Sequence, residues 1–337
     1  MNNGQGGHEE VGFGLLLVLL LILGSEFVNG WTDAPNAIAT VVSTRVLKPR
    51  TAVVLATVCN VIGAFYGREV ARTIGTGIVK PEAINLVTVG AAMVGIIIWS
   101  TTAWYFGLPT SESHALIAGL TGAGLATAGP SVLLWSGWSK VIMGLVFSSF
   151  LGFVCGWSLA YSIRKGLAWV PRSRARKLFA SLQVLSAGGM ALSHGSNDGQ
   201  KFIGTFTLAL LLGGVLPEFA VPWWTVLLCS AVMGIGTSVG GWRIIKTMGS
   251  RMAKLEPYQG FAAETAAAGS ILLASSLGVP LSTTHTINTS IMGVGAATRL
   301  SAIRWTVVEE MVTAWVLTFP ICGVIGFLTA SFFKLIF

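Results

Sequence analysis

Two aspartates lie inside strongly apolar stretches of this chain, in two copies of one short motif. The first copy, at residues 29–40, reads NGWTDAPNAIAT and contains Asp33; the second, at residues 194–205, reads HGSNDGQKFIGT and contains Asp198. The copies share a glycine, the aspartate, an isoleucine and a threonine at matching places. A carboxylate at membrane depth is costly, which favours a functional role over simple helix capping. Two such carboxylates predict a site for a proton or a metal cation.

A second pair of polar segments is also duplicated. The segment at residues 109–129 begins PTSESH and the segment at residues 280–297 begins PLSTTH, so each places proline, hydroxyl side chains and a histidine at the start of a helix. A helix N-terminus offers free N–H groups and the positive end of the helix dipole, and hydroxyls add donors. One copy alone would fit ordinary capping, but the matched pair predicts an oxyanion site. The hydroxyl residues are Ser111, Ser113, Ser282, Thr283 and Thr284.

The composition places these motifs in a membrane. Hydrophobic residues make up 53% of the 337 and charged residues 10%, and the mean hydropathy is +0.75. Soluble domains carry about 25% charged residues. The apolar runs do not alternate with a period of two, so they predict helices rather than the strands of a barrel. The four cysteines are far apart in apolar segments and do not indicate a metal site built from thiolates. The sequence does not identify any other bound metal.

The same order of segments recurs in the two halves of the chain. We expect an N-terminal repeat at residues 1–163, a basic loop at 164–177 and a C-terminal repeat at 178–337. Each repeat would contain a broken helix at its aspartate motif and a re-entrant hairpin at its polar segment. The predicted fold class is therefore an all-α polytopic membrane protein built from two repeats.

The distribution of charge sets the orientation of the repeats. Lys and Arg concentrate in short loops, which are cytoplasmic by the positive-inside rule, and each basic loop of one half matches a non-basic segment of the other. This pattern predicts inverted-topology repeats, with both termini outside and the central loop cytoplasmic. The net charge of +8 then reflects topology and does not indicate a nucleic-acid partner.

Other charged residues fall within the predicted membrane segments. Lys201 stands where the first motif has Asn36, and an ammonium there could replace a bound sodium or form a salt bridge with Asp198. Three glutamates could bind a proton or cation during transport, or could only be hydrogen-bonded, and the sequence favours neither. They are Glu26, Glu112 and Glu264.

These paired motifs resemble the signatures of the inorganic phosphate transporter (PiT) family. The resemblance rests on NGWTDAPNAIAT with HGSNDGQKFIG, and on GLPTSESH with GVPLSTTH, and it covers nearly the whole chain. In that family phosphate is held by hairpin-tip hydroxyls and motif asparagines, beside cations on the motif aspartates. The resemblance thus adds Asn36 to the five hydroxyl residues as phosphate candidates. It also implies a coupling-ion site formed by Asp33, Asn197 and Asp198, to which the position of Lys201 beside Asp198 adds a fourth candidate.

Two departures from the family pattern affect the coupling ion. The first motif has Thr32 where the family has asparagine, and the second has Lys201 where sodium-coupled members have asparagine. The string DGQK is similar to the bacterial low-affinity branch, which carries phosphate with protons or as a neutral metal–phosphate complex. The resemblance implies a secondary transporter, not an enzyme, that imports phosphate across the bacterial cytoplasmic membrane by proton symport with alternating access.

The implied partners are phosphate, protons and membrane lipid, with no cofactor. Sodium or a divalent cation stays open as the coupling ion, and so does assembly into a homo-oligomer. The nearest alternatives are a sulfate permease of the same fold and a sodium-coupled phosphate symporter. A carboxylate such as Glu112 facing the anion would favour phosphate, because phosphate can donate a proton and sulfate cannot.

Two alternatives of other classes fit the sequence less well. An intramembrane hydrolase would pair Ser113 with His114, but neighbouring side chains on a helix diverge by about 100°. A passive anion channel would not need the paired aspartates.

Overall fold

The computed structural model describes residues 5–336, which are helical almost throughout. In that range the only β-pairing is an isolated bridge between Val79 and Leu133. The helices are α1 Gln5–Ser43, α2 Pro49–Ala64, α3 Glu69–Gly77, α4 Leu86–Phe106, α5 Glu112–Ala128, α6 Trp135–Gly166, α7 Arg172–His194, α8 Gln200–Leu212, α9 Trp223–Val239, α10 Trp242–Lys246, α11 Pro257–Ser276, α12 Thr283–Thr298 and α13 Trp305–Ile336.

Several helices have the length and apolar character needed to cross a bilayer. In the described part of the chain these are α1, α4, α6 and α13, and the bent pairs α2–α3 and α9–α10 would raise the number of spans from 4 to 6. Large apolar side chains are exposed along these helices, for example Phe150 on α6 and Val316 on α13. Such faces fit a lipid environment, because a soluble monomer rarely exposes large apolar patches. The predicted class, an all-α polytopic membrane protein, is confirmed.

The two polar segments form short helices that lie in the core. Gly107 (φ 71°) ends α4 and Gly278 (φ 65°) precedes the second polar segment, and both have the left-handed backbone that a sharp turn requires. The hydroxyl of Ser111 then caps α5 by accepting from the backbone N–H of His114, and Ser282 caps α12 in the same way. Both helices therefore begin within the predicted polar segments, three residues after Pro109 and Pro280. Their description as re-entrant hairpins stays a prediction.

In the core, the polar helix of each half packs against the last helix of the other half. The polar helix α5 packs on α13, the last helix of the second half, and α12 packs on α6, the last helix of the first half. Glycines at matching positions permit both contacts: a Cβ at Gly122 would lie 1.9 Å from the carbonyl oxygen of Gly323, and one at Gly293 would lie 2.1 Å from that of Phe153. Small residues allow such close helix packing in membranes. The two halves thus pack equivalently, while their inverted orientation stays a prediction.

The helix breaks are not where the sequence analysis put them. Helix α1 runs without interruption through residues 29–40, with Pro35 inside it. The second motif passes from α7 to α8 through a single π-helical turn, Gly195–Gly199. Sharp bends occur instead at α2–α3 (70°) and α9–α10 (60°).

Tertiary contacts explain why the motif helices do not unwind. Polar side chains of α1 bond partners on other helices: Thr32 donates to Glu112 at 3.0 Å, and Thr40 donates to Glu264 at 2.5 Å. Because these side chains are satisfied within the core, the polar motif need not expose its backbone to find partners. The π-helical turn adjusts the second motif without ending the helical path.

Candidate functional site

The two aspartate motifs and the two polar helix starts meet in the centre of the protein. The hydroxyl of Ser282 donates to Ser111 Oγ at 2.8 Å, which joins the two starts directly. The predicted phosphate and coupling-ion residues all lie in this region and are almost completely buried. They are Asp33, Asn36, Ser111, Ser113, Asn197, Asp198, Lys201, Ser282, Thr283 and Thr284.

The first motif contacts the start of α12. Asp33 and Asn36 are spaced three residues apart on α1, so their side chains share a face. The amide of Asn36 donates to Thr284 Oγ1 at 2.9 Å, and the Thr284 hydroxyl donates to Asp33 Oδ1 at 3.3 Å. A helix of the first half thus presents its carboxylate and amide to the hydroxyls of the second half.

The second motif contacts both polar helix starts. Asp198 lies in the π-helical turn and accepts a hydrogen bond from the Thr283 hydroxyl at 2.7 Å. Its other oxygen forms an ion pair with the Lys201 ammonium. Lys201 also donates to Ser113 Oγ and, at 3.1 Å, to the carbonyl oxygen of Leu281. The salt bridge considered in the sequence analysis is therefore present, and its ammonium lies between the starts of α5 and α12.

A histidine that the sequence analysis did not single out completes the cluster. His194 opens the second motif, and its Nε2 lies 3.1 Å from Asp198 Oδ2 and 4.0 Å from Asp33 Oδ2. The available signal was its spacing, because residues four apart on a helix share a face. The ligand atoms of Asp33, His194 and Asp198 all lie within 4.8 Å of one another, a set that could hold a metal ion. Carboxylate oxygens and imidazole suit several divalent cations.

The contact with Asn60 determines which nitrogen of His194 carries the proton when the ring is neutral. The amide nitrogen of Asn60 donates to Thr237 Oγ1 at 3.3 Å, so the carbonyl oxygen of Asn60 faces His194 Nδ1 at 3.2 Å. Nδ1 must then carry the proton of this contact. In a neutral ring the lone pair of Nε2 would point at the carboxylate of Asp198. A lone pair and a carboxylate repel each other, so a positive charge is needed between His194 Nε2 and Asp198. A proton on Nε2 or a bound cation would supply it.

Two oxygens in the same region have no protein donor. They are Oδ2 of Asp33 and Oδ1 of Asn197, both buried. The amide nitrogen of Asn197 donates to Ser275 Oγ at 2.8 Å, so the orphaned oxygen is the one that a cation could use. Buried polar atoms are normally paired, and such exceptions often mark a binding site.

The three predicted glutamates form their hydrogen bonds with residues that do not belong to this cluster. Both oxygens of Glu112 accept hydroxyl donors, from Thr32 at 3.0 Å and from Ser100 at 2.7 Å. Glu112 therefore points towards α1 and α4 and does not face the hydroxyls at the start of α12.

Glu264 accepts from Thr40, from Gln183 at 3.2 Å and from the Ser186 hydroxyl. Glu26 accepts from Asn29 at 3.0 Å through one oxygen, and its other oxygen has no partner.

The histidines of the polar segments lie against aromatic rings. His114 and His285 contact each other edge to face with ring centroids 4.6 Å apart, and they stack on Phe319 and Trp315 respectively. The Ser113 hydroxyl donates to the carbonyl oxygen of Leu281 at 3.2 Å. Ser113 and His114 thus have other partners and do not form the nucleophile and base that a hydrolase would need.

Comparisons with known proteins find similar sequences and a similar fold. A model described as "Phosphate transporter family" matches residues 29–326. A Rhizobium meliloti (strain 1021) protein named "Probable low-affinity inorganic phosphate transporter" is 45% identical over 317 residues, which is 93% of this chain and 95% of that protein. A Bacillus subtilis (strain 168) protein of the same name is 39% identical over 327 residues, covering 96% and 98%.

A solved structure has the same fold. It is described as "The sodium-dependent phosphate transporter", and it aligns with a TM-score of 0.86 at 22% sequence identity. The alignment covers 96% of this chain and 100% of that one.

Proposed function

Since the chain belongs to the phosphate transporter family, whose members are transporters and not enzymes, we propose that it imports inorganic phosphate by proton symport. The membrane concerned would be the bacterial cytoplasmic membrane. The relatives that support this proposal are named low-affinity inorganic phosphate transporters.

The observation that carries the proton coupling is the position of His194. Its Nε2 faces Asp198 and Asp33, while its Nδ1 is engaged by Asn60. A proton on Nε2 would make the ring an imidazolium between two carboxylates. Loss of that proton would bring a lone pair against Asp198, so the cluster is well suited to bind and release a proton.

The ammonium of Lys201 supports the same choice of ion. It forms an ion pair with Asp198 and donates hydrogen bonds to Ser113 Oγ and the Leu281 carbonyl oxygen. Carboxylate, hydroxyl and carbonyl oxygens are also the ligands that a sodium ion would need. An ammonium at this place would repel a sodium ion bound beside it. The mobile charge of the cycle is then carried by protons.

Phosphate would bind at the starts of α5 and α12, where hydroxyls and free backbone N–H groups converge. The hydroxyls of Thr283 and Thr284 donate to Asp198 and Asp33 in the present arrangement. If a phosphate oxygen accepted these two hydrogen bonds instead, Asp198 and Asp33 would lose their hydroxyl donors. The aspartates would take up protons in exchange, which couples anion binding to proton binding.

Alternating access would come from motion of the two halves around this site. The contact between Ser111 and Ser282 joins the polar helix starts and belongs to the closed arrangement. Opening on either side would separate these hydroxyls and admit water to the buried aspartates.

A sodium-coupled symporter is the second candidate. The unpartnered oxygens of Asp33 and Asn197 favour it, because both could coordinate a cation. The solved structure with the same fold is also that of a protein described as sodium-dependent.

Uptake of labelled phosphate into proteoliposomes separates these candidates. An imposed proton gradient, an imposed sodium gradient and no gradient would be compared, each with and without excess unlabelled sulfate. The proposal predicts accumulation with the proton gradient alone and no inhibition by sulfate. A strict requirement for sodium would contradict the proton coupling, and inhibition by sulfate would contradict selectivity for phosphate.

A further inference from the structure

A second cavity lies away from the aspartate motifs, at the end of the molecule where the central basic segment is found. It has a volume of about 720 Å³ and is bounded by the end of α6, the start of α7, the start of α11 and Thr44, which follows the last residue of α1. We refer to it as the basic cavity. None of its lining residues belongs to the central cluster, so this site does not depend on the proposed coupling mechanism.

Three arginines give the basic cavity its charge. Arg164, Arg172 and Arg176 line it, and among the described residues none of their guanidinium groups has a hydrogen bond or an ion pair. One acidic side chain, Glu256, also lines the cavity, and Tyr258 adds a hydroxyl. Three guanidinium groups against one carboxylate leave an excess of positive charge. Planar guanidinium forks match the oxygens of a phosphate group and bind it through paired, charge-assisted hydrogen bonds.

One lining residue of the basic cavity, Thr44, is connected to the first aspartate motif by hydrogen bonds. Thr44 donates to Gln183 Oε1 at 2.9 Å, and Gln183 donates to Glu264 at 3.2 Å. Glu264 in turn accepts from Thr40, the last residue of the motif, at 2.5 Å. An occupant of the cavity would therefore touch one end of a polar chain that reaches α1.

The walls of the basic cavity are largely apolar, and an aromatic side chain stands beside it. Phe179 and Leu255 line the cavity, and the neighbouring Trp169 is 81% exposed. Exposed tryptophan next to basic residues is typical of the level of lipid headgroups. A phosphate group could thus reach this cavity from water or as part of an anionic lipid.

We propose that the basic cavity is a second phosphate-binding site, in which Arg164, Arg172 and Arg176 hold a phosphate group supplied either as the free inorganic anion or as a phospholipid headgroup. The three guanidinium groups bind the phosphate oxygens, and the apolar walls accommodate the first carbons of a lipid. The site has no role for the motif aspartates.

Binding to purified full-length protein in neutral detergent tests the site. The variant Arg164→Gln/Arg172→Gln/Arg176→Gln would be compared with Arg68→Gln/Arg72→Gln/Lys80→Gln, which removes three exposed basic residues that do not line the cavity. One arm titrates inorganic phosphate by calorimetry. A second arm measures adducts of phosphatidylglycerol and of phosphatidylcholine by native mass spectrometry. The central site contributes equally to both variants, so the difference between them reports the basic cavity.

We expect the arginine variant to bind phosphate or phosphatidylglycerol more weakly than the control by about tenfold or more, because the loss of even one charge-assisted bond is worth about a tenfold change. Weakening in the phosphate arm identifies the free anion, and weakening in the phosphatidylglycerol arm identifies the headgroup. Equal binding by the two variants in both arms would overturn the proposal. If the glutamine variant does not fold, Arg164→Lys/Arg172→Lys/Arg176→Lys keeps the charge and removes the forked donors. Unchanged binding in that variant would equally overturn the bidentate site.

Discussion

The ammonium of Lys201 contacts a carboxylate oxygen of Asp198 one helical turn away, and both side chains are 1% exposed to solvent. The remaining oxygen of Asp198 accepts from Thr283 and lies 3.1 Å from His194. One aspartate thus links a fixed cation, a titratable ring and a hydroxyl of the candidate phosphate site. Substitutions of these residues should therefore affect the stability of the protein, its choice of coupling ion and its coupled uptake to different degrees.

Removing one member of this ion pair should destabilise the protein strongly. Lys201→Met leaves the buried carboxylate of Asp198 without its ammonium, and we expect a loss of about 3–5 kcal/mol in the free energy of unfolding. The double variant Lys201→Met/Asp198→Asn should recover much of that loss. Thermal unfolding in detergent would measure both, and equal destabilisation by the single and double variants would contradict a dominant role for the pair.

The choice of coupling ion should depend on Lys201. Lys201→Asn places in the second motif the residue that Asn36 provides in the first, and it removes the fixed cation beside Asp198. We expect phosphate uptake by this variant to gain stimulation by sodium, measured in proteoliposomes with and without a sodium gradient. A folded variant whose uptake remains insensitive to sodium would mean that the ammonium does not determine the ion.

Asp198→Asn should abolish coupled uptake. The amide cannot carry the negative charge that balances Lys201 and His194, so the charge of the site no longer alternates during the cycle. Membrane insertion should remain intact, which size-exclusion chromatography of the detergent-solubilised protein would check. Uptake at the wild-type rate would remove the basis for assigning this aspartate to coupling.

His194→Asn should uncouple phosphate movement from the proton gradient. The asparagine amide can still donate to the Asn60 carbonyl oxygen, but it offers no equivalent of Nε2 to face Asp198. We expect concentrative uptake to fall by about tenfold or more, in line with the usual contribution of a positioned proton carrier. Exchange of internal for external phosphate should persist. Accumulation as in the wild type would exclude His194 as the proton carrier.

The contact between α5 and α13 should not tolerate a large side chain. Gly122→Leu would drive its side chain into the backbone at Gly323, and we expect loss of about 1–3 kcal/mol or failure to fold. Gly269→Leu on α11 is the matched control, because a Cβ there meets no atom within 4 Å. Comparable unfolding temperatures for the two variants would show that the close approach does not limit stability.

Local sequence signals predicted those features that depend on neighbouring residues. The starts of α5 and α12 lie in the predicted polar segments, with Ser111 and Ser282 as caps, and the Lys201–Asp198 pair was one of the roles considered for Lys201. The uninterrupted α1 could not be predicted, because the partners of its Thr32 and Thr40 are Glu112 and Glu264, which are distant in sequence. The same reason hid His194, whose significance depends on Asn60 and Asp33 from the other half.

The central claim is that each phosphate enters together with protons. Its most direct test measures internal pH with a trapped dye and internal phosphate in the same sodium-free proteoliposomes, after phosphate is added outside. We predict internal acidification that begins with phosphate entry and disappears in Asp198→Asn. Phosphate accumulation without any acidification, restored only by external sodium, would contradict the claim.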